Sequence, residues 1–233
     1  MPLLRQPMKS KIFIINLAMP QILTKFVAKS TCTMSGFESI KQMIESWPKG
    51  TIFFPDDFAA VGSGDTVRSA LVRLCDDNII VRLGFGIYCY PKIDDKWGMG
   101  ILYPSMDNIA KAIAKRDHSQ IAPTGSAAMN VLGLSTQLQA NVVYYTNGSP
   151  RKINIGEGKG ILFKRTTQMK RFAYRSYVMQ LIVAALREIG NGKVGDSELV
   201  KISEHLAKVN EDDFQHDILL APAWVQKLLK EIR

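Results

Sequence analysis

The chain has 233 residues, 46% of them hydrophobic, and 30 Lys and Arg stand against 21 Asp and Glu for a net charge of +9. That apolar content can bury a sizeable core and the length allows two modest domains, which sets aside a disordered or low-complexity chain. The positive excess points to a polyanionic partner.

Residues 1–33 carry five basic side chains and no acid, with an apolar stretch from Ile12 to Leu23 broken by Asn16, Pro20 and Gln21. The stretch is too short and interrupted to span a bilayer, and no small-x-small cleavage site follows it. Met34 is an alternative initiator, so the segment reads as an overextended start or a loosely attached, dispensable helix, and the protein as cytoplasmic. Cys32, Cys75 and Cys89 are odd in number and lack metal spacing, and the last two fall in apolar element interiors where a buried thiol is expected.

Ser35-Gly36-Phe37-Glu38 has the capping-box pattern, and Phe37, Ile40, Ile44 and Trp47 then recur at helical spacing until Pro48 and Gly50. Pro55 suits a first helical position, with Asp56 and Asp57 at the positive end of a short second helix carrying Phe58 and Val61. After the turn Gly62-Ser63-Gly64, a third helix from Asp65 to about Asn78 places Val67, Ala70, Leu71 and Leu74 on a buried stripe. Asp65, Arg68, Ser69, Val72, Arg73 and Asp76 face away, and Arg68, Ser69 and Arg73, with Thr66 beside them, are free to meet a groove. Ile79–Leu83 and Ile87–Tyr90 read as strands joined at Gly84-Phe85-Gly86, a two-stranded wing bearing Arg82 and Phe85. Residues 35–91 are therefore expected to be a winged helix-turn-helix. The same order of elements also occurs in other small α+β domains and in winged helices that bind only protein.

Asp94-Asp95-Lys96, Gly98, Gly100 and Pro104 interrupt both periodicities, so residues 92–103 read as a linker and 104–233 as a second, mixed α/β domain. There, Asp107–Arg116 and Gly125–Val131 read as helices, with Gly133 a cap beyond the second. Val142–Thr146, Lys152–Ile155 and Ile161–Lys164 read as strands, and Tyr177–Ile189, Ser197–Val209 and Trp224–Ile232 as helices. Gly156-Glu157-Gly158-Lys159-Gly160 lacks the spacing of a phosphate loop and reads as a hairpin turn. Of the adjacent Tyr144 and Tyr145, one is expected in the core and one at the surface.

Charge is unevenly spread. Residues 34–103 hold seven basic and nine acidic side chains, whereas 104–175 hold eleven basic and three acidic, including Arg151, Lys152, Lys164, Arg165, Lys170 and Arg171. Since phosphate neutralisation supplies most non-specific affinity, this basic segment either shares the DNA ligand, binds a second nucleic acid, or is simply solvated. Catalysis has little support. His118, His205 and His216 are scattered, no Cys-x-x-Cys or Gly-x-Ser-x-Gly occurs, and no metal or cofactor is expected.

Gly50-Thr51-Ile52-Phe53 leading into Asp57-Phe58, then Val67 to Leu74, Ile80 to Tyr88, Pro123 to Asn130 and Leu132 to Gln137 together resemble the AbiEi-like antitoxins of type IV toxin-antitoxin systems. The resemblance covers most of residues 35–175; the last 60 carry no matching motif. It implies an N-terminal winged helix that represses the antitoxin's own operon by binding its promoter DNA. It also implies a C-terminal antitoxin domain opposing a nucleotidyltransferase-type toxin encoded beside it, with repression and toxin opposition separable at the linker. The alternatives are a stand-alone winged-helix regulator whose second domain senses a ligand or dimerises, and an RNA-binding or RNA-modifying enzyme.

Overall fold

The computed structural model describes residues 35–94, 98–137, 139–156 and 158–233. The readings of residues 1–33, including Cys32 and the start at Met34, lie outside the described residues, as do Asp95, Lys96 and Glu157.

The chain is mixed α+β. Ser35 Oγ accepts the Glu38 amide at 3.3 Å and starts α1 (Gly36–Glu45), whose Ile40 and Ile44 are fully buried. A two-residue strand β1 (Ile52–Phe53) precedes a 3-10 turn at Pro55–Phe58, where the Asp57 carboxylate accepts the Phe54 amide at 2.8 Å. Ser63 caps α2 (Gly64–Asp76), and β2 (Val81–Gly84) and β3 (Ile87–Cys89) follow. Trp47, Phe53, Phe58 and Tyr88 pack ring on ring between these helices, with centroids 5.3–6.0 Å apart.

The three-stranded sheet has the order β1-β3-β2, and its central strand β3 is buried on both faces. Alternation on β3 divides its side chains. Tyr88, opposite Phe53, packs with α1 and α2, whereas Ile87 and Cys89 join Phe54 and Leu83 in a second core with Ile109, Ile113, Tyr144, Ile161 and Phe163. The segments on either side of residues 92–103 thus share a core. The expected linker itself carries a hairpin, β4 (Lys92–Asp94) paired with β5 (Gly100–Leu102). At the root of the β2–β3 turn, a Cβ on Gly84 would meet the Asn154 carbonyl oxygen at 2.6 Å, so only glycine permits this approach. Gly86 holds φ +67° in the turn itself.

Beyond α3 (Met106–Arg116), β6 (Ile121–Pro123), α4 (Gly125–Val131), β7 (Asn141–Thr146), β8 (Arg151–Asn154) and β9 (Gly160–Arg165) build a four-stranded sheet of order β6-β7-β9-β8. β7 and β9 run parallel, and β8 returns antiparallel through the 156–160 turn. The order follows from side chains: Ile161 and Phe163 suit a central strand, while charged β8 and Pro123 in β6 suit edges. Gly133 lies past α4 at φ +68°.

After a 3-10 turn (Met169–Phe172), α5 (Tyr177–Ile189), α6 (Asp196–Leu206), α7 (Glu211–Ile218) and α8 (Ala223–Ile232) enclose a third core. α5 is apolar on nearly every face and sits at its centre. The fully buried Asp217 carboxylate accepts the Arg175 and Ser176 amides at 2.9 and 2.8 Å and lies 2.7 Å from His216 Nδ1, which fixes the entry to α5.

Asp107 joins the second core to the third. Its buried carboxylate accepts the Tyr144 hydroxyl at 2.8 Å and the Tyr177 hydroxyl, and pairs with Lys111 at 2.8 Å. Asp107→Ala orphans the Tyr144 hydroxyl inside the protein, and a buried unsatisfied donor costs about 1–3 kcal/mol, with bonds to a charged acceptor at the upper end. The expected loss is about 3 kcal/mol by urea denaturation; a loss within error would show that water replaces the carboxylate.

Burial pushes the Cys89 thiol up to about 11. Burial first, then the Asp107 charge and hydrogen bond, raises the Tyr144 and Tyr177 phenols. Folding therefore holds these groups neutral. A raised folded-state value leaves stability intact below the unfolded values and removes it as pH climbs through the folded ones. The urea midpoint is expected to stay flat up to about pH 9 and then fall, by at most about 1.4 kcal/mol per pH unit for each group. A flat profile through pH 11 would mean these groups ionise in place.

Candidate nucleic-acid interface

Ser63 Oγ accepts the Thr66 amide at 3.3 Å and lies 2.9 Å from its hydroxyl, which fixes the first turn of α2 and spends part of Thr66's hydrogen-bonding capacity. The buried stripe is Val67, Ala70, Leu71 and Leu74, and Asp65, Thr66, Arg68, Ser69, Val72 and Arg73 are exposed. Two arginines expected to be free are engaged. Arg68 Nη1 pairs with Asp65 at 2.9 Å, with side chains 74% and 91% exposed, so a phosphate or base edge can displace the carboxylate at little cost. Arg73 lies over the Phe37 ring, 4.4 Å from its centroid, which ties α2 to α1 and presents the guanidinium as a flat plate.

Phe85 stands at the tip of the β2–β3 turn, 91% exposed. Arg82 Nε donates to the Gly84 carbonyl at 3.3 Å, and its guanidinium lies 5.8 Å from the Phe85 ring. Arg82 is paired with Tyr88 and so projects from the sheet face that α2 covers. Helix and turn consequently flank one open cleft of about 540 Å3, lined by Arg68, Val72, Arg82 and Phe85. Acidic Asp65 and Asp76 share the exposed side of α2, so this surface is mixed in charge.

The six basic residues of the second half do not form one face. Arg151 pairs with Phe163 on the inner side of the large sheet, and Asp117 holds its guanidinium. Burial, then the neighbouring Arg116 charge, lowers its pKa. Arg165, exposed, pairs with buried Thr146 at the end of that same side. Lys152 and Lys164 project from the opposite side, as does Tyr145, paired with Lys164 in register. Arg171 stacks on the Tyr145 ring at 4.3 Å, and exposed Lys170 precedes it. A basic strip thus runs from Lys152 through Lys164 and Arg171 to Lys170, while Arg151 serves packing. Sequence reading counted charges and missed the alternation that separates them. It also missed Gln180 and Arg187, which lie on a helix read only as core.

Among the described residues no His, Cys, Asp and Glu side chains are grouped to hold a metal ion, and no helix is long and apolar enough to cross a membrane. No curated protein matches the chain in sequence. A solved structure described as that of the RV2827C protein from Mycobacterium tuberculosis is similar at 14% identity and a TM-score of 0.41, covering 83% of this chain and 80% of that one. The sequence profile of a family of unknown function, DUF6088, matches residues 39–214, and the chain belongs to that family.

Proposed function

We propose that the protein is a DNA-binding regulator in which residues 35–91 act as a winged helix. Arg68, Ser69 and Arg73 of α2 read a major groove, and Arg82 and Phe85 contact the duplex from the wing. The observation that carries this reading is that the side of α2 bearing Arg68 and Val72 and the Phe85 turn flank a single cleft, with Arg68 and Arg82 both lining it, while Ser69 and Arg73 line the adjoining hollow beside Phe37. An exposed phenylalanine at a turn tip contributes nothing to the core and suits insertion along a groove. Arginine is the commonest reader of guanine edges, and the Asp65 carboxylate that pairs with Arg68 is solvent-exposed and easily exchanged. The strip of Lys152, Lys164, Lys170 and Arg171 supplies phosphate contacts that α2, with its own acids, does not.

The resemblance to AbiEi-like antitoxins extends the proposal: the regulated promoter is the protein's own, and the chain opposes a nucleotidyltransferase-type toxin encoded beside it. Footprinting of the native promoter tests the first part. Protection of a discrete site, lost in scrambled DNA, is expected, and equal affinity for both would overturn it. Co-expression with the adjacent gene tests the second, with restored growth as the expected result and continued arrest as the contrary one.

A further inference from the structure

A second concave site lies away from α2, between the Met169–Phe172 turn and α5. It encloses about 260 Å3, roughly the space of one small ligand, and Ala122, Pro123 and Val183 are among its apolar walls. Three cations line it, Lys170, Arg171 and Arg187, and no Asp or Glu does. Among the described residues, neither Lys170 nor Arg187 forms an ion pair. Arg171 is held in place: Gln168 Oε1 accepts its Nε at 2.8 Å, the Tyr145 ring backs it at 4.3 Å, and Gln180 Nε2 donates to its carbonyl at 2.7 Å. Such anchoring lowers the entropy that an arginine loses on binding an anion.

Two amides complete the lining. Gln180 is only 9% exposed, and its single hydrogen bond uses the nitrogen, which leaves its Oε1 open to a donor. Gln168 uses its oxygen on Arg171, which leaves its NH2 open to an acceptor. The pocket therefore offers an apolar wall, one open acceptor, one open donor and an unopposed cationic rim. A planar base bearing both a donor and an acceptor, attached to a phosphate, satisfies all four.

The geometry points to this pocket as a binding site for a nucleoside 5′-phosphate, with the phosphate on Lys170, Arg171 and Arg187 and the base edge on Gln168 and Gln180. The nucleotide is either free or the end of a single strand, whose next phosphates the neighbouring Lys164 and Lys152 can meet. The inference uses no residue of α2, but Lys170 and Arg171 belong also to the basic strip proposed to meet DNA phosphates, so Arg187, Gln168 and Gln180 are what distinguish the pocket from that strip.

Calorimetric titration of the full-length protein tests it, with the four 5′-mononucleotides, the matching nucleosides, inorganic phosphate and a 5′-phosphorylated hexanucleotide as probes. At least one mononucleotide should bind, with its nucleoside and inorganic phosphate each weaker by about tenfold or more, since removing a charge-assisted contact costs roughly that factor. The double variant Lys170→Gln/Arg187→Gln, both sites being exposed, should keep the native melting curve and lose about tenfold or more in nucleotide affinity. Arg68→Ala should leave nucleotide binding unchanged. A hexanucleotide that binds tighter than the monomer identifies a strand end, and equal affinity identifies the free nucleotide. No binding at millimolar nucleotide, equal binding of inorganic phosphate, or undiminished binding by the double variant would overturn the proposal.

Discussion

Reversing Arg68 and Arg73 to glutamate together should lower affinity for the native promoter by about a hundredfold or more, because each arginine that reads a base edge is worth about 1–3 kcal/mol and the reversal adds repulsion from phosphate. The fold should survive, since both side chains are exposed on α2 and the Arg73–Phe37 contact that is lost is worth only about 0.5–1 kcal/mol at an exposed site. Lys170→Ala makes the contrasting case, weakening promoter and scrambled DNA alike and flattening the dependence of binding on salt. The readout is a titration at several salt concentrations with circular dichroism as the folding control. A charge-reversed protein that still protects its promoter would place DNA recognition elsewhere on the molecule.

Cutting the chain at residue 103 should yield two pieces that do not fold cooperatively. Phe54, Leu83, Ile87 and Cys89, all buried, pack against Ile109, Ile113, Ile161 and Phe163 from the other side of the cut. Exposing one such apolar side chain costs about 1.5–3 kcal/mol, so losing the four on the N-terminal piece removes about 6–12 kcal/mol, against a typical total stability of about 5–15. Expression of residues 104–233 should therefore give aggregated or molten protein by near-ultraviolet circular dichroism and tryptophan fluorescence. A sharp two-state transition from that fragment would show that the shared core contributes little. Separation of functions, expected from the sequence at residues 92–103, has to be sought with surface substitutions instead of truncations.

How much was legible depended on whether an element carried its own signal. Ser63 with the spacing of Val67, Ala70, Leu71 and Leu74 announces α2 to within a residue or two, and the apolar run of Tyr177–Leu186, broken at Gln180 alone, announces α5. β1 and β6 escape because a strand of two or three residues has no periodicity to read; pairing with β3 and β7 defines them. α7 escapes because Phe214 and Ile218 alone are too few to show a period, although Glu211, Asp212 and Asp213 complement the positive end of that helix. The linker reading failed for a related reason. Its glycines and acids suit a joint, yet Ile93 and Ile101 pair across a hairpin.

The exposed face of α2 was likewise readable from helical spacing, since exposure is local to a helix. What Arg68 and Arg73 touch was not, because Phe37 lies outside the helix and Asp65 competes from one turn away. Nor was the pocket of Gln168, Gln180 and Arg187, which exists only after the 169–172 turn folds back on α5.

The alternation along β3 has a consequence for how this family can vary. Tyr88 answers to Phe53 and Phe58 on one side, while Ile87 and Cys89 answer to Phe54, Ile109 and Ile161 on the other. Three neighbouring positions thus belong to two independent sets of partners. In a collection of relatives, changes in bulk at position 88 should track those at 53 and 58, and changes at 87 and 89 should track those at 109 and 161, with little correlation between the two sets. Drift on the side that carries the proposed reading helix can then proceed without disturbing the half that holds the basic strip.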